Sequence, residues 1–249
     1  MDNATEINRA YYDRLTAGRE SYWKLMPAPR MRIERVVAAI REAKPAVRHL
    51  CDFGCGNGDL LAALASHLPH AKLYGIDLSA EQIRTNAAAR PSTAWAVDDL
   101  ASAGYRFPFH DRCDVAVSSE VIEHVADPHR YLKNVYDSIA PDGLLVLTTQ
   151  SGPVHATEKV VGHVRHWQPD EMTELLVSVG FRNVTARNCG FPFHDLSKWI
   201  ANLNPEETIR RFGEREWGAP QRAAAAVLRF LFRFNSTSRG NQLVAVAYR

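Results

Sequence analysis

The sequence has no long apolar run, few cysteines and no block of charge of one sign. No stretch of this 249-residue chain approaches the roughly 18 consecutive apolar residues of a transmembrane helix, so we expect no membrane span. The first ten residues are polar and lack the apolar core of a secretory signal, and we therefore expect a cytoplasmic protein.

The low cysteine content argues against a disulfide-rich secreted protein, and the balanced charge gives no support for a nucleic-acid-binding protein. Cys51, Cys55, Cys113 and Cys189 show no C-x-x-C spacing and are predicted to be reduced thiols. The 30 Lys and Arg against 28 Asp and Glu leave a net charge of +2, which gives no electrostatic reason to expect a nucleic-acid partner.

The hydrophobic periodicity changes near Val47 and divides the chain. Residues 5–44 are predicted to form two helices broken at Pro27 and Pro29, the second over residues 30–44. From Val47 onward, short apolar runs alternate with helical stretches, a pattern typical of βαβ units in a parallel sheet. Strands are predicted at 47–53, 72–77, 93–98, 113–119, 143–149, 181–188 and 242–248, and helices at 58–68, 79–90, 127–140 and 169–179.

These elements together predict an α/β fold. The sheet is expected to be doubly wound, seven-stranded and mostly parallel, with its last two strands forming an antiparallel pair at one edge. Residues 1–44 would form an N-terminal helical cap on a domain spanning 45–249. Residues 190–240 are too many for a hairpin connection and are predicted to be a helical lid inserted into that domain.

The strongest local signal is the glycine-rich segment after the first predicted strand. The strand ends at Asp52, and Gly54, Gly56 and Gly58 follow directly before an amphipathic helix. Glycines there allow a sharp turn and a close backbone approach to a ligand, while the helix start offers free N–H groups. Asp77 ends the next strand, where a carboxylate can accept both hydroxyls of a ribose. The segment therefore predicts a site for a ligand that contains a nucleoside.

Five segments in order carry a family resemblance. DFGCGNG, YGIDLS, AVDDL, DVAVSSEVIEHVADP and APDGLLVLTT resemble the class I S-adenosylmethionine (AdoMet)-dependent methyltransferases, which have a Rossmann-like fold, over roughly residues 45–185. The resemblance implies that the loop from Asp52 to Gly58 wraps the methionine part of AdoMet and that Asp77 holds its ribose. It also implies that Asp98 or Asp99 accepts from the adenine amino group, and it does not decide which. The full expected cofactor set is Asp52, Gly54, Cys55, Gly56, Asp77, Leu78, Asp98, Asp99, Leu100, Ser119, Glu120 and, from the cap, Tyr12, which packing within an amphipathic helix explains almost as well.

The segment after the fourth strand resembles a narrower group. Its E-x-x-E-H sequence is similar to that of the ubiquinone-pathway O-methyltransferases and, more distantly, of small-RNA 3′-end 2′-O-methyltransferases, where it is associated with a divalent cation such as Mg²⁺. Glu120, Glu123 and His124 lie within one helical turn. His163 matches a position where the RNA-directed enzymes supply a further histidine ligand, but relatives without a metal carry H-x-R before an aromatic residue there, so the resemblance does not decide its role. The alternative is that Glu120 touches the cofactor, Glu123 is solvated and His124 is a general base or a packed polar residue.

Two more histidines precede the helix that begins at Pro169. A neutral imidazole near pH 7 can accept a proton from a hydroxyl or an amine, so His124, His163 and His166 are the candidate catalytic residues. Loop histidines bonded to backbone are the alternative for His163 and His166.

The resemblance implies methyl transfer to a small molecule, with oxygen the preferred acceptor and nitrogen left open. RNA 2′-O-methylation and a non-catalytic AdoMet-binding module are the other candidate functions. Residues 222–234 combine aromatic and aliphatic residues with spaced arginines. We expect this segment to cover the substrate; pairing in a homodimer, peripheral contact with a membrane and burial against the protein's own sheet are the alternatives.

Overall fold

A computed structural model describes residues 25–44, 46–210 and 217–249. Its strands are β1 (His49–Phe53), β2 (Lys72–Asp77), β3 (Ala94–Val97), β4 (Cys113–Ser119), β5 (Ile139–Gln150), β6 (Arg182–Cys189) and β7 (Gln242–Tyr248). Its helices are α1 (Pro27–Ala43), α2 (Asp59–His67), α3 (Ala80–Ala89), α4 (Pro128–Ser138), α5 (Ala156–Val160), α6 (Pro169–Val179), α7 (Phe193–Leu203), α8 (Pro205–Thr208) and α9 (Ala219–Leu231), with short 3₁₀ turns at Ile122–His124 and Phe232–Phe234.

The seven strands form one sheet in the order β3-β2-β1-β4-β5-β7-β6. Strands β1 to β5 are parallel, and β7 runs antiparallel between β5 and β6. The strand order reverses between β1 and β4, and in open α/β sheets ligands bind at the carboxyl ends of the strands beside such a reversal. The predicted doubly wound fold, including the antiparallel pair at one edge, is confirmed.

Helices cover both faces of the sheet because alternate residues of each buried strand point to opposite sides. One core contains the inner faces of α1, α2 and α3, packed against Leu50 and Val115. The other contains α4 and α6, packed against Phe53 and Leu145. The four cysteines are buried and unpaired, as predicted.

The ends of several elements follow from local sequence. Ser79 accepts a hydrogen bond from the Gln82 backbone N–H at 3.2 Å and so caps α3. Gly180 has a φ of +117° and ends α6, as a C-terminal glycine does. The prediction was less accurate for α1, which begins at Pro27 instead of being broken there. The N–H groups of a first helical turn have no partner within the helix, so proline, which lacks an N–H, is tolerated at that position. Strand β5 begins at Ile139, four residues before the predicted 143.

The described part of the predicted cap, residues 25–44, contributes α1, whose residues Val36 and Ile40 are fully buried in the core. Tyr12 and the rest of the cap lie outside the described residues, and the division of the chain at residue 44 stays a prediction. The described part of the segment 190–240 contains the helices α7, α8 and α9. Among the described residues, no helix combines the length and the apolar character needed to cross a bilayer. The cytoplasmic location stays a prediction.

Candidate active site

A pocket of about 1000 Å³ opens at the carboxyl ends of the strands, beside the reversal in strand order. Its wall includes the glycine-rich loop, the ends of β2 and β3, the segment after β4 and the first turns of α1. All the predicted cofactor residues that the structure describes line it. Side chains from four separate βα connections therefore face one cavity, as the parallel topology requires.

The glycine-rich loop turns sharply under the pocket. Gly54, Gly56 and Gly58 have φ angles of +84°, +48° and +73°, in the left-handed region that favours glycine. A Cβ on Gly54 would lie 2.4 Å from Cγ2 of Val121, so the loop packs tightly against the segment after β4. At Gly56, nothing lies within 4 Å of the equivalent position. The loop thus has one crowded side and one open side.

Two aspartates flank this loop. The Asp77 carboxylate accepts from the backbone N–H of Gly56 at 2.8 Å and of Ser79 at 2.9 Å, which fixes its orientation at the end of β2. Asp52 is buried, and its Oδ1 has no hydrogen-bond partner among the described residues. Burial and, to a smaller extent, the charge of Asp77 raise the pKa of the Asp52 carboxyl to about 8. An unpaired carboxyl beside a glycine loop fits the ammonium of a methionine moiety, and an oriented carboxylate on the next strand fits a ribose. The residues present therefore fit AdoMet.

Asp98 and Asp99 follow β3, where the adenine end is expected. Both line the pocket, and each accepts one backbone N–H, from Asp99 and from Ala101 respectively. Leu100 is buried beside them. The geometry does not choose between the two aspartates, so the adenine contact stays a prediction for both.

Glu120 is held by residues from distant parts of the chain. It accepts from the side-chain amides of Gln150 at 2.5 Å and Gln242 at 2.8 Å, and it pairs with Arg32 of α1 at 3.7 Å. Burial opposes ionisation of Glu120, but the Arg32 guanidinium and the two amides outweigh it and hold the pKa of the carboxyl below its usual value. Its backbone φ of +58° is strained for a residue with a Cβ, a feature that clusters at functional sites.

The three predicted catalytic histidines lie in a line, with His124 and His166 buried and His163 half-buried. His124 lines the pocket, and His163 lies behind it with ring centroids 4.6 Å apart. His163 Nδ1 is 2.9 Å from His166 Nε2, which in turn lies 3.7 Å from the Glu158 carboxylate. The structure brings all three histidines together but, of these three, only His124 borders the pocket, because the loop after β5 turns His163 and His166 inward.

Burial is the largest influence on the pKa values of the three histidines. It lowers the pKa of His124 to about 4 and that of His163 to about 2, where the neighbouring histidines add to the effect. Burial also lowers the pKa of His166, although Glu158 opposes this. The imidazoles are therefore neutral near pH 7.

Three groups come close enough to share a metal ion. Glu123, His124 and His163 each offer a ligand atom, and these atoms lie within 4.8 Å of one another. Glu123 is fully buried; Thr149 donates to its Oε2 at 2.7 Å, while Oε1 finds no partner in the described part of the chain. Burial and the charge of Glu120 raise the pKa of Glu123. Glu120, predicted as a fourth ligand, lies outside this group because its carboxylate is already bonded to Gln150 and Gln242.

A family profile described as a methyltransferase domain matches residues 22–186, which contain the glycine loop, both flanking aspartates and the histidine chain. The chain belongs to this family. It is an AdoMet-dependent methyltransferase. This methyltransferase is 31% identical over 186 residues to a ubiquinone biosynthesis O-methyltransferase of Cereibacter sphaeroides, an alignment that covers 64% of the chain and 68% of the relative.

Solved structures share the fold of this methyltransferase at low identity. An N-methyltransferase NodS from Bradyrhizobium japonicum, in complex with S-adenosyl-L-homocysteine, aligns with a TM-score of 0.60 at 17% identity over 97% of this chain and 98% of that one. A Haemonchus contortus phosphoethanolamine N-methyltransferase 2 aligns with a TM-score of 0.64 at 16% identity over 97% of this chain, which spans 60% of that longer protein.

Sequence reasoning missed several residues of this site. Arg32, Gln150 and Gln242 hold Glu120, and Glu158 with Lys198 closes the far end of the histidine chain. These residues form no local motif, and only the long-range pairing of β5 with β7 and the docking of α1 and α7 bring them together. The E-x-x-E-H segment was the one available signal, and it identified the centre of the network.

Proposed function

We propose that this methyltransferase acts on a small molecule and that its acceptor atom is a hydroxyl oxygen. The Cereibacter sphaeroides relative, named for O-methylation in ubiquinone biosynthesis, supports oxygen as the acceptor. The observation that carries the proposal is the line of side chains that begins at His124 in the pocket wall and continues through His163 and His166 to Glu158. Such a line suits an acceptor that must lose a proton.

AdoMet, when bound, supplies a methyl group on a sulfonium that leaves as a neutral thioether. Asp52 would pair with its ammonium and Asp77 would hold its ribose, both at the glycine-loop side of the pocket. His124 would accept the proton of the acceptor hydroxyl, since it lines the pocket beside Glu120. His163 and His166 would orient that ring from behind. Positioning and exclusion of water would supply much of the remaining rate enhancement.

His124→Asn tests the role of the base. We expect kcat to fall by about 10²- to 10⁴-fold, the usual contribution of a positioned general base, with the Kd for AdoMet unchanged. His129→Asn, on the outer side of α4, is the matched control and should leave kcat intact. An unchanged kcat in His124→Asn would show that His124 is not the base.

The acceptor class is tested by transfer of a radiolabelled methyl group from AdoMet to a panel of phenols, catechols, primary amines and carboxylic acids. We expect incorporation into phenols or catechols. Incorporation only into amines would replace oxygen with nitrogen as the acceptor, and AdoMet binding with no transfer to any class would favour the non-catalytic module.

A metal-assisted reaction is the second candidate, because Glu123, His124 and His163 can reach one ion. Two imidazoles and one carboxylate suit a transition ion such as Zn²⁺ or Mn²⁺ better than Mg²⁺, which prefers oxygen ligands. Such an ion would lower the pKa of a bound hydroxyl. Turnover that survives exhaustive chelation would show that His124 deprotonates the acceptor hydroxyl without a metal ion. Turnover that is lost on chelation and restored by Zn²⁺ or Mn²⁺ would support the metal.

A further inference from the structure

Helix α9 has an apolar stripe that faces solvent. Its inner face is formed by buried Ala225 and, directly after its last residue, by buried Phe232. On the opposite face, Val227, Phe230 and Phe234 are 59%, 56% and 62% exposed, and the rings of the two phenylalanines contact each other with centroids 5.5 Å apart. We call these three residues the α9 stripe. An exposed stripe of this kind on a monomer marks an interaction site.

Helix α7, which packs against the end of α9 through His194 and Phe232, has a second stripe. Leu196, Trp199, Ile200 and Leu203 are spaced i, i+3, i+4 and i+7, and their exposed fractions run from 47% to 64%. We call them the α7 stripe. The charges of this helix point inward, because Lys198 pairs with Glu158 and Asp195 accepts from the Asn241 backbone N–H at 2.9 Å. The outer face of α7 therefore carries no charge.

The charge beside the α9 stripe has one sign. Arg222, Arg229 and Arg233 are spaced i, i+7 and i+11, which places them in one row about a third of the way round the helix from the stripe, and all three are exposed. From Trp217 to the last residue, Arg249, the sequence contains no Asp or Glu. The face thus combines large apolar side chains with three exposed arginines.

We propose that the α9 stripe with its three arginines, extended by the α7 stripe, is a peripheral docking surface for an anionic lipid bilayer. An exposed apolar face bordered by arginines is the pattern of helices that lie in a membrane interface. Anionic lipid headgroups supply the negative charge that the surface lacks, at about 1 kcal/mol for each arginine near the bilayer.

A second copy of the chain fits this surface less well. A two-fold contact centred on the α9 stripe would place the arginines of both copies close together. Residues 217–249 contain no Asp or Glu that would offset this repulsion. A bilayer also suits the position of α7, since Lys198 on its inner side bonds to Gln150 of the site at 2.8 Å. The outer face of α7 is therefore about one helix diameter, roughly 10 Å, from the active-site network. The proposal does not depend on methyl transfer.

The test is cosedimentation of the full chain with vesicles of phosphatidylcholine, with or without phosphatidylglycerol. We expect binding to the anionic vesicles at least about tenfold tighter than to the neutral ones, and weaker at high salt. Trp199→Ser with Phe230→Ser, and separately Arg229→Glu with Arg233→Glu, should each reduce binding at least about tenfold. Val177→Ser, equally exposed on α6, and Arg112→Glu, before the amino end of β4, are the matched controls and should bind as the unmodified chain does.

Failure to bind anionic vesicles, or equal loss of binding in the control variants, would overturn the proposal. Sedimentation velocity on the same variants tests the rival occupant. If the unmodified chain does not bind vesicles but forms a dimer that dissociates in the Trp199→Ser, Phe230→Ser variant, the surface is a contact with a second copy of the chain.

Discussion

Gly54→Ala tests the packing of the glycine loop against the segment after β4. The new Cβ would lie 2.4 Å from Cγ2 of Val121, at a backbone φ of +84°. The left-handed backbone costs about 1–2 kcal/mol for a residue with a Cβ, and forcing an extra methyl into a packed site costs about 1–3 kcal/mol more. We therefore expect a loss of about 2–5 kcal/mol in the free energy of unfolding, with weaker AdoMet binding because both residues line the pocket.

Gly56→Ala is the matched control, since it meets the same kind of backbone strain, at a φ of +48°, with open space around the new Cβ. It should cost only about 1–2 kcal/mol. In a Val121→Ala background, where the obstructing methyl is gone, Gly54→Ala should cost about as much as Gly56→Ala. Urea unfolding of the four variants, with calorimetric titration of AdoMet, measures both effects. Equal losses for Gly54→Ala and Gly56→Ala, or no relief from Val121→Ala, would refute the packing argument.

Three further predictions concern the charged residues of the site. The Asp52 carboxyl, with its pKa raised to about 8, must ionise to pair with an ammonium, so AdoMet affinity should rise with pH between about 6 and 7.5, by at most about tenfold per unit, as measured by calorimetry. Glu158→Gln should lower kcat by about 10- to 100-fold with little change in KM, since it loosens the support behind His166 and His163. Arg32→Met should destabilise the fold by about 3–5 kcal/mol in urea unfolding, because it leaves the buried Glu120 carboxylate without its cation.

Each of these predictions has a control or a contrary result. The pH dependence should vanish in Asp52→Asn, and a flat profile in the unmodified chain would contradict the raised pKa. Glu171→Gln, on the exposed side of α6, should leave kcat unchanged, and equal effects at Glu158 and Glu171 would remove the positioning role. Glu120→Gln together with Arg32→Met should recover part of the lost stability, since no unpaired charge then remains.

The sequence predicted the parts of the fold that depend on local pattern. Asp52, the three glycines and Asp77 follow one another within a single βαβ unit, so their spacing alone placed them at one sheet edge. The cap on α3 at Ser79 and the end of α6 at Gly180 are likewise set by neighbouring residues. The beginnings of α1 and β5 were less exact, because proline is compatible with a first helical turn and because Ile139 pairs with Cys113 through an irregular register.

The support of the active site was beyond sequence reasoning. Gln242 bonds to Glu120 across 122 positions of the chain, and the contact exists only because β7 inserts between β5 and β6. His163 and His166 were recognised as candidates, but their places behind His124 depend on how the loop after β5 folds back. The sequence identifies such residues as able to transfer protons, whereas their positions relative to one another depend on the tertiary structure.

We propose that the loop from Asp52 to Gly58 and the Asp77 carboxylate form the AdoMet site of this methyltransferase. Calorimetric titration of AdoMet into the purified chain and into Asp77→Ala tests it most directly. We expect one AdoMet site per chain. In Asp77→Ala the binding free energy should weaken by about 1–3 kcal/mol, or about 5- to 150-fold in Kd, because the charge-assisted hydrogen bonds are missing. Equal affinity in both proteins, or no binding to either, would contradict it.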